Sequence, residues 1–190
     1  MGLSIHYSGS IKKISLINDL IIETADICNI LDWKYHVIEK RNEFSLHGII
    51  FSPSDCEPVM LTFLTNRKMC SFINLKHRDI FDGVQVKKSL LYTISTKTQF
   101  AGADAHIALI KLLRYLSGKY FKEFKLIDEG MYWETNDESI FRKQFARYEI
   151  AMDLFEHTLK NMKKIPGETG QSLAKRIEDE LKERWGDKDN

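Results

Sequence analysis

The strongest constraint on the fold is the run from Leu90 to Asp137, LLYTISTKTQFAGADAHIALIKLLRYLSGKYFKEFKLIDEGMYWETND. It reads as strand, polar loop, long amphipathic helix, acidic turn and aromatic strand. Gly102 and Asp104 suit a helix entry near Asp104. At about 100° per residue, Leu109, Ile110, Leu113, Leu116, Tyr120, Phe121 and Phe124 then share one face. Lys111, Arg114, Lys122 and Lys125 fall on the opposite face.

His106 does not join the polar side. It lies near the middle of the apolar face, in the first helical turn. A histidine there is either a hydrogen-bonded core residue or the acid/base group of a cleft beside the helix start. The preceding loop, Thr96-Lys97-Thr98-Gln99, supplies donors that can face the same point, so Thr98, Gln99 and His106 are candidate ligand-binding residues. Downstream, Glu134 stands beside Tyr132 and Trp133. Aromatic surroundings would lift a carboxylate toward the general-acid range, which makes Glu134 a second catalytic candidate and Trp133 a ligand contact. In a strand, Glu134 and Tyr132 share one face and Met131 and Trp133 the other, so a buried Glu134 needs the less usual orientation. The plain alternative for Asp128, Glu129 and Glu134 is surface pairing with the basic stripe.

Upstream, Leu3 to Tyr7 alternates as a short strand, and Ser15 caps a helix over residues 15–31. Strands follow at 33–38, 44–51, 58–65, 68–74 and 89–96, with a tight turn at Thr65-Asn66-Arg67-Lys68. Residues 75–88, around Asp82-Gly83, read as a loop or flap. After a strand at Met131–Thr135, Asn136 or Asp137 caps a helix over 138–163. Its positions Phe141, Phe145, Tyr148, Met152, Phe155, Leu159 and Met162 alternate four and three apart, a heptad-like seam. Thr169 caps a last helix with Leu173, Ile177, Leu181 and Trp185 as a narrow stripe. Short connections between strands imply antiparallel pairing. The expected fold is α+β: an antiparallel sheet of about six strands, a long central helix on one face, and a C-terminal helical extension. The expected division is a sheet domain over 1–137 and an extension over 138–190 packed on it.

Composition narrows function mainly by exclusion. Across 190 residues the formal net charge is +1, which gives no global pull toward nucleic acid or anionic membrane. No apolar run approaches the roughly 20 residues of a membrane helix, and MGLSIHYSGS has no signal-like core. His6 stands where an N-myristoylation pattern needs Ser or Thr. The cytoplasm is the expected compartment. Cys28, Cys56 and Cys70 are widely spaced, without a C-x-x-C pair, and Asp55 and Glu57 should raise the Cys56 thiol. P-loop, dinucleotide, zincin and nucleophile-elbow motifs are missing. No cofactor is expected. A metal site would need His36 or His47 to converge with His106, which the spacing does not favour.

The element order is similar to the helix-grip arrangement, in which a curved sheet wraps a long helix around an apolar pocket. The stretch TQFAGADAHIALIKLLRYLSGKYF…DEGMYWETND, together with GLSIHYSG, also resembles an uncharacterised family of bacterial proteins. That resemblance implies a bacterial cytoplasmic protein and carries no catalytic residue.

The sequence therefore points to a non-catalytic binding protein, holding a small amphipathic ligand or a protein partner. The competing expectation is an enzyme with His106 as acid/base. A homodimer through residues 138–185 is expected if the seam is not covered within one chain.

Overall fold

The computed structural model describes residues 3–39, 45–76, 90–163 and 165–186, the last four by backbone alone. The expected flap falls largely outside them, and so does the side chain of Trp185. The fold is α+β, with β1 (Ser4–Ile11), α1 (Ile17–Ile30), β2 (Lys34–Ile38), β3 (His47–Ser52) and β4 (Val59–Phe63) leading the chain. There follow α2 (Phe72–Lys76), β5 (Ile94–Lys97), α3 (Gly102–Tyr120), β6 (Phe121–Asp128), α4 (Tyr132–Thr135), α5 (Glu138–Asn161) and α6 (Gly170–Gly186). Contacts divide the chain into Met1–Arg142 and Lys143–Asn190, so the division falls inside α5.

The strands form two antiparallel sheets, ordered β5-β1-β6 and β2-β3-β4. Helix α1 packs on β3 and β2, and α3 packs on β6. The sheets meet where Lys68 bridges Ser10 and Met69 bridges Phe63. The phenol of Tyr7, buried on β1, adds a link. It accepts the Met60 N–H at 2.9 Å and lies 3.4 Å from the Thr96 hydroxyl. Burial pushes the Tyr7 phenol up to about 12, against the lowering effect of those bonds.

Three elements differ from the sequence expectation. The expected strand 68–74 shrinks to the two bridges, because the Ser71 hydroxyl accepts the Asn74 N–H and caps α2 instead. The central helix stops at Tyr120, and Phe121, Lys122, Phe124 and Lys125 belong to β6. A bulge opposite Ser10 and Ile11 skips Lys122 and pairs Gly9 with Phe124 and Ile11 with Phe121. It packs the two phenyl rings together, centroids 5.0 Å apart, although they are three residues apart in sequence. Three-residue spacing on one face is a helical signature, which explains the longer helix read from the sequence. Lys12 Nζ takes up the freed helix-end carbonyls, Gly118 at 3.0 Å and Lys119 at 2.7 Å. Finally, Met131–Thr135 is not a strand but the one-turn helix α4, bracketed by left-handed Met131 and Asn136.

Candidate functional site

The first turn of α3 carries His106 into the interior, where it is 0% exposed. Its Nδ1 lies 2.8 Å from the Thr98 hydroxyl at the end of β5. Its Nε2 lies 3.1 Å from Asp128 Oδ2 at the end of β6. Phe141, from the first turn of α5, stacks on the imidazole at 4.5 Å and 18°. Gly130 permits this approach: a Cβ there would meet the Phe141 ring at 2.6 Å and Leu3 at 3.0 Å.

Asp128 is the centre of the arrangement. Its Oδ1 accepts the Gly130 N–H at 2.7 Å. Its Oδ2 accepts the N–H groups of Tyr132 at 2.9 Å and Trp133 at 3.0 Å, besides facing His106. These bonds satisfy the start of α4 and hold Met131 in a conformation that a side chain of its size rarely adopts (φ 63°). Burial would raise the Asp128 carboxyl. The His106 contact and the backbone donors at Trp133 and Gly130 outweigh burial and hold it below the usual carboxylate range.

The proton inventory follows from the atoms. An ionised carboxylate only accepts, so Nε2 of His106 carries a hydrogen toward Asp128. Nδ1 then accepts the Thr98 hydroxyl proton. Alternatively it donates to Thr98 while that hydroxyl turns to the Leu3 carbonyl, 3.3 Å away. Hydroxyl, imidazole and carboxylate stand in the order of a nucleophilic relay. The hydroxyl, however, is as enclosed as the ring: Thr98 is 0% exposed.

The predicted residues thus gather only partly. Thr98 and His106 touch directly, Trp133 reaches them through its backbone N–H on Asp128, and Glu134 Oε1 accepts the Asp128 N–H at 3.3 Å. The Glu134 side chain is exposed, while the Trp133 ring is half-buried over Arg114, 4.9 Å from its guanidinium carbon. The carbonyl oxygen of the Gln99 side chain is buried without a hydrogen-bond partner among the described residues. His36 and His47 stand in the second sheet, paired in register with Ile50 and Phe63. The residue that sequence reasoning missed is Asp128, taken there as part of a surface turn. An Asp two residues before Gly and four before an aromatic is a local cap signal, since its carboxylate can reach those N–H groups.

Burial, then the Glu57 charge, pushes the Cys56 thiol up to about 12, which favours its protonated form at neutral pH. Away from His106, a recess opens between the start of α1 and the ends of β3 and β4. It is lined by Ile14, Ile17, Ser45, His47, Phe63, Leu64 and Thr65 and is small and open, with room for about one water molecule. No described helix is long and apolar enough to cross a membrane. No protein-family model, no curated protein and no solved structure matches the chain.

Proposed function

We propose that this is a non-catalytic binding or interaction protein. The observation that carries this reading is the state of His106. Both ring nitrogens are engaged within the fold, and the ring and its hydroxyl partner are 0% exposed. A general base must reach the proton it abstracts, and a nucleophile must reach its substrate. The relay instead joins β5, α3, β6 and α4, and stacks on the first turn of α5. The test is a thermal-shift screen of the full chain against metabolites, metals and candidate protein partners, run beside hydrolase and transferase assays. A stabilising ligand or partner without turnover supports the reading. Turnover that disappears in His106→Gln, with the fold retained, contradicts it.

A protein partner can also be a second copy. Within the seam of α5, Phe141 and Phe145 are buried, but Phe155 and Leu159 remain 37% and 44% exposed. Ile150 adds a further exposed side chain, at 48%. Self-association through 138–185 would cover them. Light scattering of wild type and Phe155→Glu decides: a dimer that the substitution dissociates supports it, and a wild-type monomer at high concentration rejects it.

A further inference from the structure

The outer strands of the two sheets are β5, β6, β4 and β2, and all but β2 are closed or blunted. On β5, the Lys97 carbonyl accepts the Glu57 N–H at 3.2 Å and the Lys97 N–H donates to Glu57 Oε2 at 2.9 Å. On β4, the Thr62 carbonyl accepts the Cys70 N–H at 3.0 Å, and Phe63 bridges Met69. On β6, pairing is interrupted by the bulge opposite Ser10 and Ile11, and Lys122, Glu123 and Lys125 are exposed charges. Covering segments, bulges and charges are the devices that keep an outer strand from pairing with another chain.

β2 lacks them, except for Lys34 at its first position. Among the described residues it pairs with β3 alone, in an unbroken register from Lys34 with Ser52 to Ile38 with Gly48. Lys34, Tyr35, His36 and Val37 are all exposed. Tyr35 and Val37 stand opposite Phe51 and Ile49, which are 1% and 0% exposed, so they lie on the covered face of the sheet, at its open margin. Helix α1 packs on β3 and β2. One flank of α1 is tied to α3 through Glu23, which accepts from Tyr115 and Lys119. The opposite flank presents Asn18, Ile22, Ala25 and Asn29, all uncharged, and Ile22 is 61% exposed.

We propose that β2 pairs, antiparallel and across a two-fold axis, with β2 of a second copy of this chain. An open strand edge calls for an extended backbone, and a copy offers the same edge in return, so the pairing closes on itself. Full overlap of Lys34–Ile38 with its copy sets His36 against the partner's His36 and Tyr35 against the partner's Val37. Aromatic and β-branched side chains favour each other across a strand pair. The same axis brings together the flanks of α1 that carry no charge to repel. Five strand residues and this flank fall short of the roughly 20–30 residues and about 800 Å² that a permanent partner covers on each side. The area therefore fits a reversible dimer. This goes beyond the binding-protein reading, since it needs no ligand and does not use the seam of α5.

The full chain is measured by sedimentation from about 10 μM to about 1 mM, beside Tyr35→Lys with Val37→Lys and beside Phe155→Glu. The expected result is an apparent mass that rises from one chain toward two over that range. The double variant puts charges on the open margin and should weaken association by at least about 10-fold at an unchanged melting temperature. Phe155→Glu should leave the association in place. Deuterium exchange at Lys34–Ile38 should slow as concentration rises. Should the double variant unfold, His36→Cys is the second probe, with wild type as the control for native thiols. Directly opposed residues lie within disulfide reach, so mild oxidation should cross-link it at least about 10-fold faster than Lys34→Cys. A wild type that stays monomeric at about 1 mM overturns the proposal, as does association that survives the double variant or is abolished by Phe155→Glu. Equal cross-linking of the two cysteine variants overturns it as well. So does an extended peptide that slows exchange at β2 while the chain remains monomeric, which assigns the edge to a foreign strand. The binding-protein reading survives each of these results and falls only if turnover is found.

Discussion

The same three groups occur twice, on opposite faces of one sheet. On the buried face, Thr98, His106 and Asp128 connect at 2.8 and 3.1 Å. On the exposed face, Ser95, His6 and Glu129 connect at 2.7 and 3.5 Å. Each has a hydroxyl on Nδ1 and a carboxylate on Nε2, yet their surroundings assign them different weight. Asp128 also receives three backbone N–H groups and has no water to replace them. Glu129 holds the Ser4 N–H at 2.8 Å, but its side chain is 41% exposed. Burial turns a relay-like constellation into a joint of the fold, because an unpaired group there has nowhere to be solvated. In water the same contacts are weak, and losing one changes little.

The largest effect should come from Asp128→Ala. It strips His106 of its carboxylate and leaves three N–H groups unmet, so chemical denaturation should show a loss of about 3–5 kcal/mol. Against a total stability of about 5–15 kcal/mol, that brings the protein close to unfolding. Thr98→Val keeps the shape and removes the hydroxyl between His106 and the Leu3 carbonyl; about 1–2 kcal/mol should be lost in the same assay. The matched change on the exposed face, Glu129→Ala, should cost no more than about 1 kcal/mol, less at high salt. Ser95→Ala, which removes only a solvent-accessible hydroxyl, should stay within about 0.5 kcal/mol. If the two faces respond equally, solvent exposure is not what separates them.

How far these features were legible depends on the range of the interactions that set them. The early helix and most strands followed from local periodicity; residue type left the cap of α5 open between Asn136 and Asp137, and it is Asp137 Oδ1 that accepts the Ser139 and Ile140 N–H groups. His106 was legible as an apolar-face histidine, and Thr98 as a nearby donor. Their acceptor was not, because Asp128 lies 22 residues from His106 and reaches it only after the chain reverses at Tyr120. That reversal was hidden by the β6 bulge, which gives Phe121 and Phe124 a helix-like spacing. Nor could periodicity distinguish α4 from a strand, since four residues fit either pattern and the Asp128 carboxylate decides. The recess was equally unreadable, since its lining comes from segments that meet only across the second sheet.

The central claim, that Asp128 acts as an ionised anchor of the fold, has a direct test in the pH dependence of stability. Its carboxyl is held below the usual range in the folded protein. The sign follows by linkage: its contribution is fully present above the unfolded value near about 3.9 and is lost as pH falls through the lower folded value. Urea unfolding of wild type and Asp128→Asn should therefore be compared from pH 7 down to pH 2. The account predicts a large stability gap at neutral pH that narrows only below about pH 4, as the wild type protonates toward the variant. A gap that is small at pH 7, or that stays constant through the acid range, would contradict it.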